Sequence, residues 1–280
     1  GSFSNAARTV GRALRELLGP CRQALVVGLG NRDITPDAIG PEAVKNLIVT
    51  HHLQAGQGEA LPGLMRVAAC QPGVLAQTGI ESLELVKCAM QTAQPDVVIV
   101  IDALAAAEPG RLFRTVQLSD SGIVPGSGVG NSRHEFSRRT LGVPVVAVGV
   151  PTVVDAFSLF RQAELELDVP QGVMVTLQDV DARVREMGRL IGYGCNLALH
   201  RSLSGRGTPT ARSRRIGRSF TCPARPAGRA IPMLATRLPC GTAKRAGTTC
   251  VRVSLDTVGI TRGTRSKRHG ASTRTPERSP

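Results

Sequence analysis

Apolar residues recur along the chain in two alternating rhythms. Between Ser4 and Leu18 they fall at Val10, Leu14, Leu17 and Leu18, a helical spacing for which Ser4 is a suitable N-cap. Ala24–Leu29 is a short unbroken apolar run ending in Gly28-Leu29-Gly30, the pattern of a buried strand. Pro41 suits the first turn of a helix that the pattern carries to Leu53, and Leu64–Cys70 predicts a second strand. Ile80–Ala93 reads as an amphipathic helix, with Ile80, Leu83, Leu85, Val86 and Met90 inward and Glu and Lys outward. The β-branched run Val97–Ile101 predicts a strand stopped by Asp102. Phe113–Leu118 and Val143–Val148 predict two more strands with a helix over Arg133–Leu141 between them. A long helical pattern, Leu177–Leu199, follows, with an interruption expected near Gly192-Tyr193-Gly194.

This β-α-β-α order predicts an α/β fold, a mostly parallel twisted sheet with helices on both faces. Fully apolar strands such as Val97–Ile101 fit strands covered on both sides. Residues 1–200 suit one such domain. From Arg201 to Pro280 only 23 of 80 residues are apolar, and no stretch longer than Val251–Leu255 has usable periodicity. That composition cannot offset its chain entropy, so a disordered tail is expected over 201–280. No uninterrupted apolar run reaches the roughly 18–20 residues of a membrane span. The best, Leu141–Ala156, is broken by Pro144, Pro151 and Asp155, and no membrane partner is expected.

Charge divides along the same line. The net +14 of the whole chain suggests a nucleic-acid binder. Yet residues 201–280 hold 16 Arg and 2 Lys against Asp256 and Glu277, a net of +16, whereas residues 1–200 carry about −2. The tail's charges are scattered rather than patterned. Six Phe, one Tyr and no Trp leave no platform for stacking bases, so direct nucleic-acid binding is not expected. The seven cysteines (21, 70, 88, 195, 222, 240 and 250) show no CxxC spacing and read as buried thiols of a reducing compartment. The Gly1-Ser2 start, lacking Met, reads as a cloning scar or an excised fragment.

In a parallel sheet, chemistry gathers beyond the carboxyl ends of the strands. Three carboxylates are expected there: Asp37 in the loop Gly28–Pro41, Asp102 after Val97–Ile101, and Asp155 after Val143–Val150. Singly, Asp37 could be a helix cap and Asp102 a turn residue. Together, two carboxylates on one rim can divide general-base and general-acid work if their surroundings push their pKa values apart. Asn31, Asp120 and Asp155 are candidate additional pocket residues. Other motifs carry less. Gly28-Leu29-Gly30-Asn31-Arg32-Asp33 lacks the third glycine of a dinucleotide fingerprint, and Gly126-Ser127-Gly128-Val129-Gly130 follows a loop rather than a strand. Asp120-Ser121-Gly122 echoes pepsin-type proteases in a single copy and reads as a turn. No HExxH or Gly-x-Ser-x-Gly is present, and Cys70 would need a histidine brought to it to act as a nucleophile.

Read together, Leu25–Pro41 (LVVGLGNRDITPDAIGP), Pro72–Glu81 (PGVLAQTGIE), Pro95–Ala105 (PDVVIVIDALA), Leu118–Asn131 (LSDSGIVPGSGVGN) and Leu141–Ala156 (LGVPVVAVGVPTVVDA) resemble the spore germination protease family. Val175-Thr176, Asp179-Val180 and Asn196-Leu197-Ala198-Leu199-His200 resemble its closing segment, so the likeness covers nearly all of residues 20–200. The resemblance implies an aspartate-dependent endopeptidase without metal or cofactor, on a fold akin to hydrogenase maturation proteases. It implies small acid-soluble spore proteins as substrates, a homotetramer made from a zymogen, and a cytoplasmic location in the spore core. It puts the catalytic aspartates in the TPDA and IDAL motifs, which here are Asp37 and Asp102. One, ionised, would take a proton from the attacking water. The other, protonated, would donate to the carbonyl oxygen and then to the leaving amine.

The chain departs from the family pattern in three places. No counterpart of the family's N-terminal region precedes Ser4, the stretch between Ala156 and Val173 is short, and the residues after His200 match nothing, as expected of read-through or an altered frame. Two other readings fit the same residues. One is a hydrogenase-maturation-like peptidase holding a transition metal at the same rim. The other is an inactive fragment that binds nucleic acid through its tail.

Overall fold

Strands that are apolar on both faces can be buried only between two layers, and the runs at 24–28, 97–101 and 145–150 therefore end up side by side. The computed structural model describes residues 3–54, 63–130, 133–162, 172–204, 249–255 and 259–263. In chain order the elements are α1 (Phe3–Leu18), β1 (Gln23–Gly28), α2 (Ile39–Val44), β2 (Arg66–Cys70), α3 (Leu75–Thr78), α4 (Ser82–Ala93) and β3 (Val97–Ala106). Then come β4 (Thr115–Ser119), α5 (Arg138–Leu141), β5 (Val145–Asp155), α6 (Ala156–Gln162), β6 (Met174–Val175), α7 (Val180–Leu199), β7 (Cys250–Ser254) and β8 (Gly259–Gly263).

The sheet runs β2-β1-β3-β5-β4-β7-β8, with β6 paired to β5 outside that path. β2, β1, β3 and β5 are parallel, and β4, β6, β7 and β8 add antiparallel pairings around that core. Alternate residues face opposite layers. Val26, Ile99, Ile101, Val146 and Val148 pack in the cluster that includes Val10 and Leu14 of α1, Ile39 of α2 and Ile191 of α7. Leu25, Val27, Val98 and Val100 pack in the cluster that includes Leu83 and Val86 of α4. An α/β sheet with helices on both faces is thus the observed architecture.

Several boundaries differ from the sequence reading, each for an identifiable reason. α1 begins at Phe3, so Ser4 lies in its first turn rather than capping it. The helix expected over Pro41–Leu53 ends at Val44, and after a turn at 45–46 residues 47–50 belong to no helix because they bond to distant groups: the Ile48 N–H donates to Asn196 Oδ1 (2.8 Å) and the Thr50 N–H to the Val67 carbonyl (2.9 Å). The helix expected over Arg133–Leu141 is one turn, α5, opened by Thr140 Oγ1, which accepts the Ser137 N–H (3.0 Å). β3 and β5 run well past their β-branched cores, to Ala106 and Asp155.

α7 is continuous through Gly192-Tyr193-Gly194. The glycines there serve packing: a Cβ at Gly192 would stand 2.6 Å from the Asn46 Cβ, and one at Gly194 would stand 2.7 Å from Val10 Cγ1. The Arg15 guanidinium reaches from α1 to the Leu197 and Ala198 carbonyls at the end of α7. The disorder expected across 201–280 is corrected at 250–254 and 259–263, which form a hairpin whose first strand extends β4 with Val251 and Val253 buried. Two alternating valines are too short a signal to read alone, and their burial comes from the cluster that also holds α1. The same expectation is corrected also at Arg201–Ser204, a 3-10 turn whose Ser202 N–H donates to the Gly63 carbonyl (3.1 Å), and the remainder of that stretch lies outside the described residues. Of the described cysteines, all free, only Cys195 is fully buried and Cys88 is exposed, which corrects the expectation of uniformly buried thiols.

Candidate active site

β1 stops at Gly28, level with Ile101 of β3, and the chain turns away after the Leu29 N–H donates to the Ile101 carbonyl (2.8 Å). Asp102 is the next residue on β3. It therefore sits at the rim left by β1, as expected, but within a strand that continues rather than at its end. It is 5 % exposed, and its Oδ1 accepts a bond from the Ala103 N–H (2.9 Å). Opposite it on β5 stands Gly149, where a Cβ would come within 2.7 Å of Leu104 Cγ, so Leu104 leans across the vacant side-chain position.

The loop from β1 to α2 brings the second carboxylate. Gly30 has φ +110, and a side chain there would collide with the Asp37 carbonyl, so only glycine lets the loop fold back this tightly. Pro36 and Asp37 then form a single 3-10 turn, Thr35–Asp37, packed against β3, β5 and α7. Asp37 Oδ2 accepts the Asn31 N–H (2.6 Å). Asn31 is itself fixed: its Oδ1 accepts the Asp33 N–H (2.9 Å) and a bond from Gln77 Nε2 (2.7 Å), which also donates to Asp33 Oδ2 (2.9 Å). Asn31 thus belongs with the pair, acting through its backbone on Asp37. Gln77, on α3, escaped the sequence reading because nothing in its local pattern marks it.

The surroundings of the two carboxyls separate them. Burial, then the negative charge of Asp37, pushes Asp102 up to about 8, against the Ala103 N–H, which favours the charged form. Burial also raises Asp37, but the Asn31 N–H opposes that rise by stabilising its ionised form.

The other candidates lie elsewhere. Asp155 ends β5 and caps α6, its Oδ2 accepting the Ser158 N–H (2.9 Å) and Oγ–H (3.0 Å). β4 runs antiparallel to β5, so Asp120, just past its end, leaves toward the amino ends of the parallel strands. There its Oδ1 accepts the Thr249 N–H (2.9 Å). The Gly126–Gly130 segment, set aside as a phosphate loop, returns to the carboxyl-end rim, with Gly128 against Ala105 of β3. His200 is buried and far from nucleophilic use: its Nε2–H donates to the Ile48 carbonyl (3.0 Å) and its Nδ1 accepts the Met65 N–H (3.3 Å). Among the described residues no group of three or more His, Cys, Asp or Glu side chains is arranged to hold a metal ion. No described helix is long and apolar enough to cross a membrane.

A family profile described as germination protease matches residues 14–164, more than half of the chain. A germination protease of Geobacillus sp. (strain WCH70) is 54 % identical over 136 residues, 48 % of this chain and 37 % of that relative. One from Clostridium perfringens (strain SM101 / Type A) is 38 % identical over 237 residues, covering 71 % of this chain and 73 % of the relative. The chain thus spans little more than a third of the first relative and nearly three quarters of the second. Among solved structures, a NiFe hydrogenase maturation protease from Thermococcus kodakarensis aligns over 65 % of this chain and 98 % of its own, at 14 % identity and a TM-score of 0.36. On the profile match and the Clostridium relative, the chain belongs to the germination protease family.

Proposed function

We propose that this chain is the hydrolytic body of a spore germination endopeptidase, and that Asp37 and Asp102 activate water against a peptide carbonyl. The observation that carries the reading is a carboxyl buried at the rim, pushed up to about 8, whose charged neighbour is a second carboxyl. At neutral pH Asp102 holds the pair's proton and Asp37 is the carboxylate. Asp37 takes a proton from water as the water oxygen attacks the scissile carbonyl carbon, and Asp102 gives its proton to the carbonyl oxygen. In collapse, Asp37 returns its proton to the departing amine nitrogen as the C–N bond breaks. Asp102 recovers a proton from the tetrahedral intermediate, which becomes the product acid. Both groups end as they began, and no metal enters the proton accounting. The fixed Asn31 N–H holds Asp37 in place through both steps.

Family membership supports spore proteins as substrates, and small acid-soluble spore proteins are the proposed class, with the reaction in the spore core. A tetramer and a zymogen origin are part of the same proposal. The test is cleavage of a small acid-soluble spore protein by the full chain, with Asp37→Asn and Asp102→Asn beside it. Each variant is expected to lose roughly 10²–10⁴-fold in rate. Cleavage at the parent rate by either one sinks the mechanism.

A further inference from the structure

Beyond Ile101, β3 and β5 project together past the end of β1 as a two-stranded overhang, Asp102–Ala106 against Gly149–Val154. The two outer edges of this overhang are treated differently. That of β5 is covered: β6 pairs with Val154 and Asp155, Thr176 Oγ1 donates to the Thr152 carbonyl (2.7 Å), and the Phe113 N–H donates to the Pro151 carbonyl (2.9 Å). That of β3 is bare. Among the described residues no strand pairs with β3 on the β1 side after Ile101. The Ile101 carbonyl points to that side, since it accepts the Leu29 N–H. By strand alternation so do the Ala103 carbonyl and the Ala105 N–H, because the register shift at Leu104/Ala105 puts its extra residue, Thr152, in β5 rather than β3.

An unpaired edge is a template for another strand, and folds usually blunt it with charge, proline or a covering element. This one is made of Ala103, Leu104 and Ala105, half-buried and uncharged, with small side chains on either side of the backbone groups. The glycine turn at Ser127–Val129 comes down on the Ala105 methyl, where a Cβ at Gly128 would stand 2.9 Å from Ala105 Cβ. It walls a face of the strand and pairs with no part of its edge. The edge also starts at the residue after Asp102, below the loop that carries Asp37.

We propose that the scissile segment of the polypeptide substrate docks here as an added strand on β3. It accepts from the Ala105 N–H and donates to the Ala103 carbonyl, so that a peptide carbonyl is held beside the carboxyl pair. Recognition is then by backbone first, with side-chain pockets secondary, and it demands an extended, proline-free stretch around the cleaved bond. The inference rests on the peptidase reading above.

The test separates the two. Fluorescent peptides spanning the cleavage site of a small acid-soluble spore protein are titrated onto the full-length Asp102→Asn chain, each carrying one N-methylated backbone amide, and binding is read by anisotropy. Affinity is expected to fall roughly fivefold or more at every second amide and little at the others, the period of a strand ladder. Hydrogen exchange at residues 103–106 is expected to slow on peptide addition. Uniform sensitivity, or none, overturns the added strand, as does binding without protection at 103–106. Protection already present in the free chain that rises with protein concentration assigns the edge to a second copy and also overturns it. Cleavage of the unmodified peptide by the parent chain is read separately: its absence counts against the peptidase reading, while an alternating pattern on the Asn variant still stands for the docking site.

Discussion

Asp102 and His200 are both titratable, both almost out of contact with solvent at 5 % and 0 % exposed, and lie at opposite ends of the structure's logic. His200 is a finished site. Its two ring nitrogens meet one carbonyl and one N–H, which fixes the neutral tautomer, and burial lowers its pKa to match. With Asn196, whose amide bridges the Ile48 N–H and the Asn46 carbonyl, it clamps the 46–50 segment to α7. Asp102 is unfinished. It accepts one N–H, from its own neighbour Ala103, and the charge beside it is a second carboxyl where a cation would have settled it. Buried polar groups that are satisfied hold a fold together, whereas one left wanting a proton at the mouth of a strand rim is poised to use it.

The largest effect expected from breaking this contrast is at Asp102. Asp102→Asn should slow cleavage by roughly 10²–10⁴-fold while improving stability. The folded pKa lies above the unfolded value, so folding takes up a proton at neutral pH. The stabilising contribution is therefore complete below the unfolded pKa of about 4 and is lost as pH rises toward 8. Thermal unfolding against pH should show the Asn variant gaining on the parent across that window, with the curves converging below it. Parallel curves would mean that Asp102 is ionised in the fold. Activity should fall on the alkaline side near 8 as Asp102 loses its proton, and on the acid side as Asp37 gains one.

His200 supplies the opposite sign and a smaller effect. His200→Ala leaves a carbonyl and an N–H buried without partners, which costs about 2–4 kcal/mol, measurable by denaturant unfolding. Its folded pKa is depressed, so its contribution is present above the unfolded value of 6.5 and lost as pH falls through the folded one. The variant should lack that acid-side loss. In any fraction that folds, kcat should survive, since among the described residues the His200 ring bonds to Ile48 and Met65 and not to the carboxyl pair. A selective loss of kcat with intact stability would place His200 in the chemistry and dissolve the contrast.

How legible each site was follows from how far its partners lie along the chain. Asp37 and Asp102 could be picked out because the rule about strand ends needs only local pattern: a β-branched run, a glycine turn and a carboxylate just after each. The length of β3 could not, since Ala103–Ala106 lacks β-branched residues and is held as strand by β5, more than forty residues on. The open edge beside Asp102 was invisible for the same reason. The clamp was hidden further still, because Leu47–Thr50 reads as helix until Asn196 and His200 pull it straight from about 150 positions away. Asp155 and Asp120 carry the same local signal as Asp102, and only the strand directions and the serine three residues on separate them.

Asp155 gives the finest test of that separation. Read as a cap, it accepts the Ser158 N–H in the first turn of α6 and the Ser158 hydroxyl, and it lies at the half-exposed end of the overhang. Asp155→Asn keeps an acceptor for the Ser158 N–H and should be nearly silent, while Asp155→Ala should cost about 1 kcal/mol of stability. Neither should alter kcat, because both leave Asp37, Asp102 and the Ala103–Ala105 edge untouched. The ordering Asn above Ala in unfolding midpoint is what a cap predicts. A carboxylate that took part in proton transfer would instead make Asn and Ala equally inactive and equally stable, and would extend the reacting pair to three.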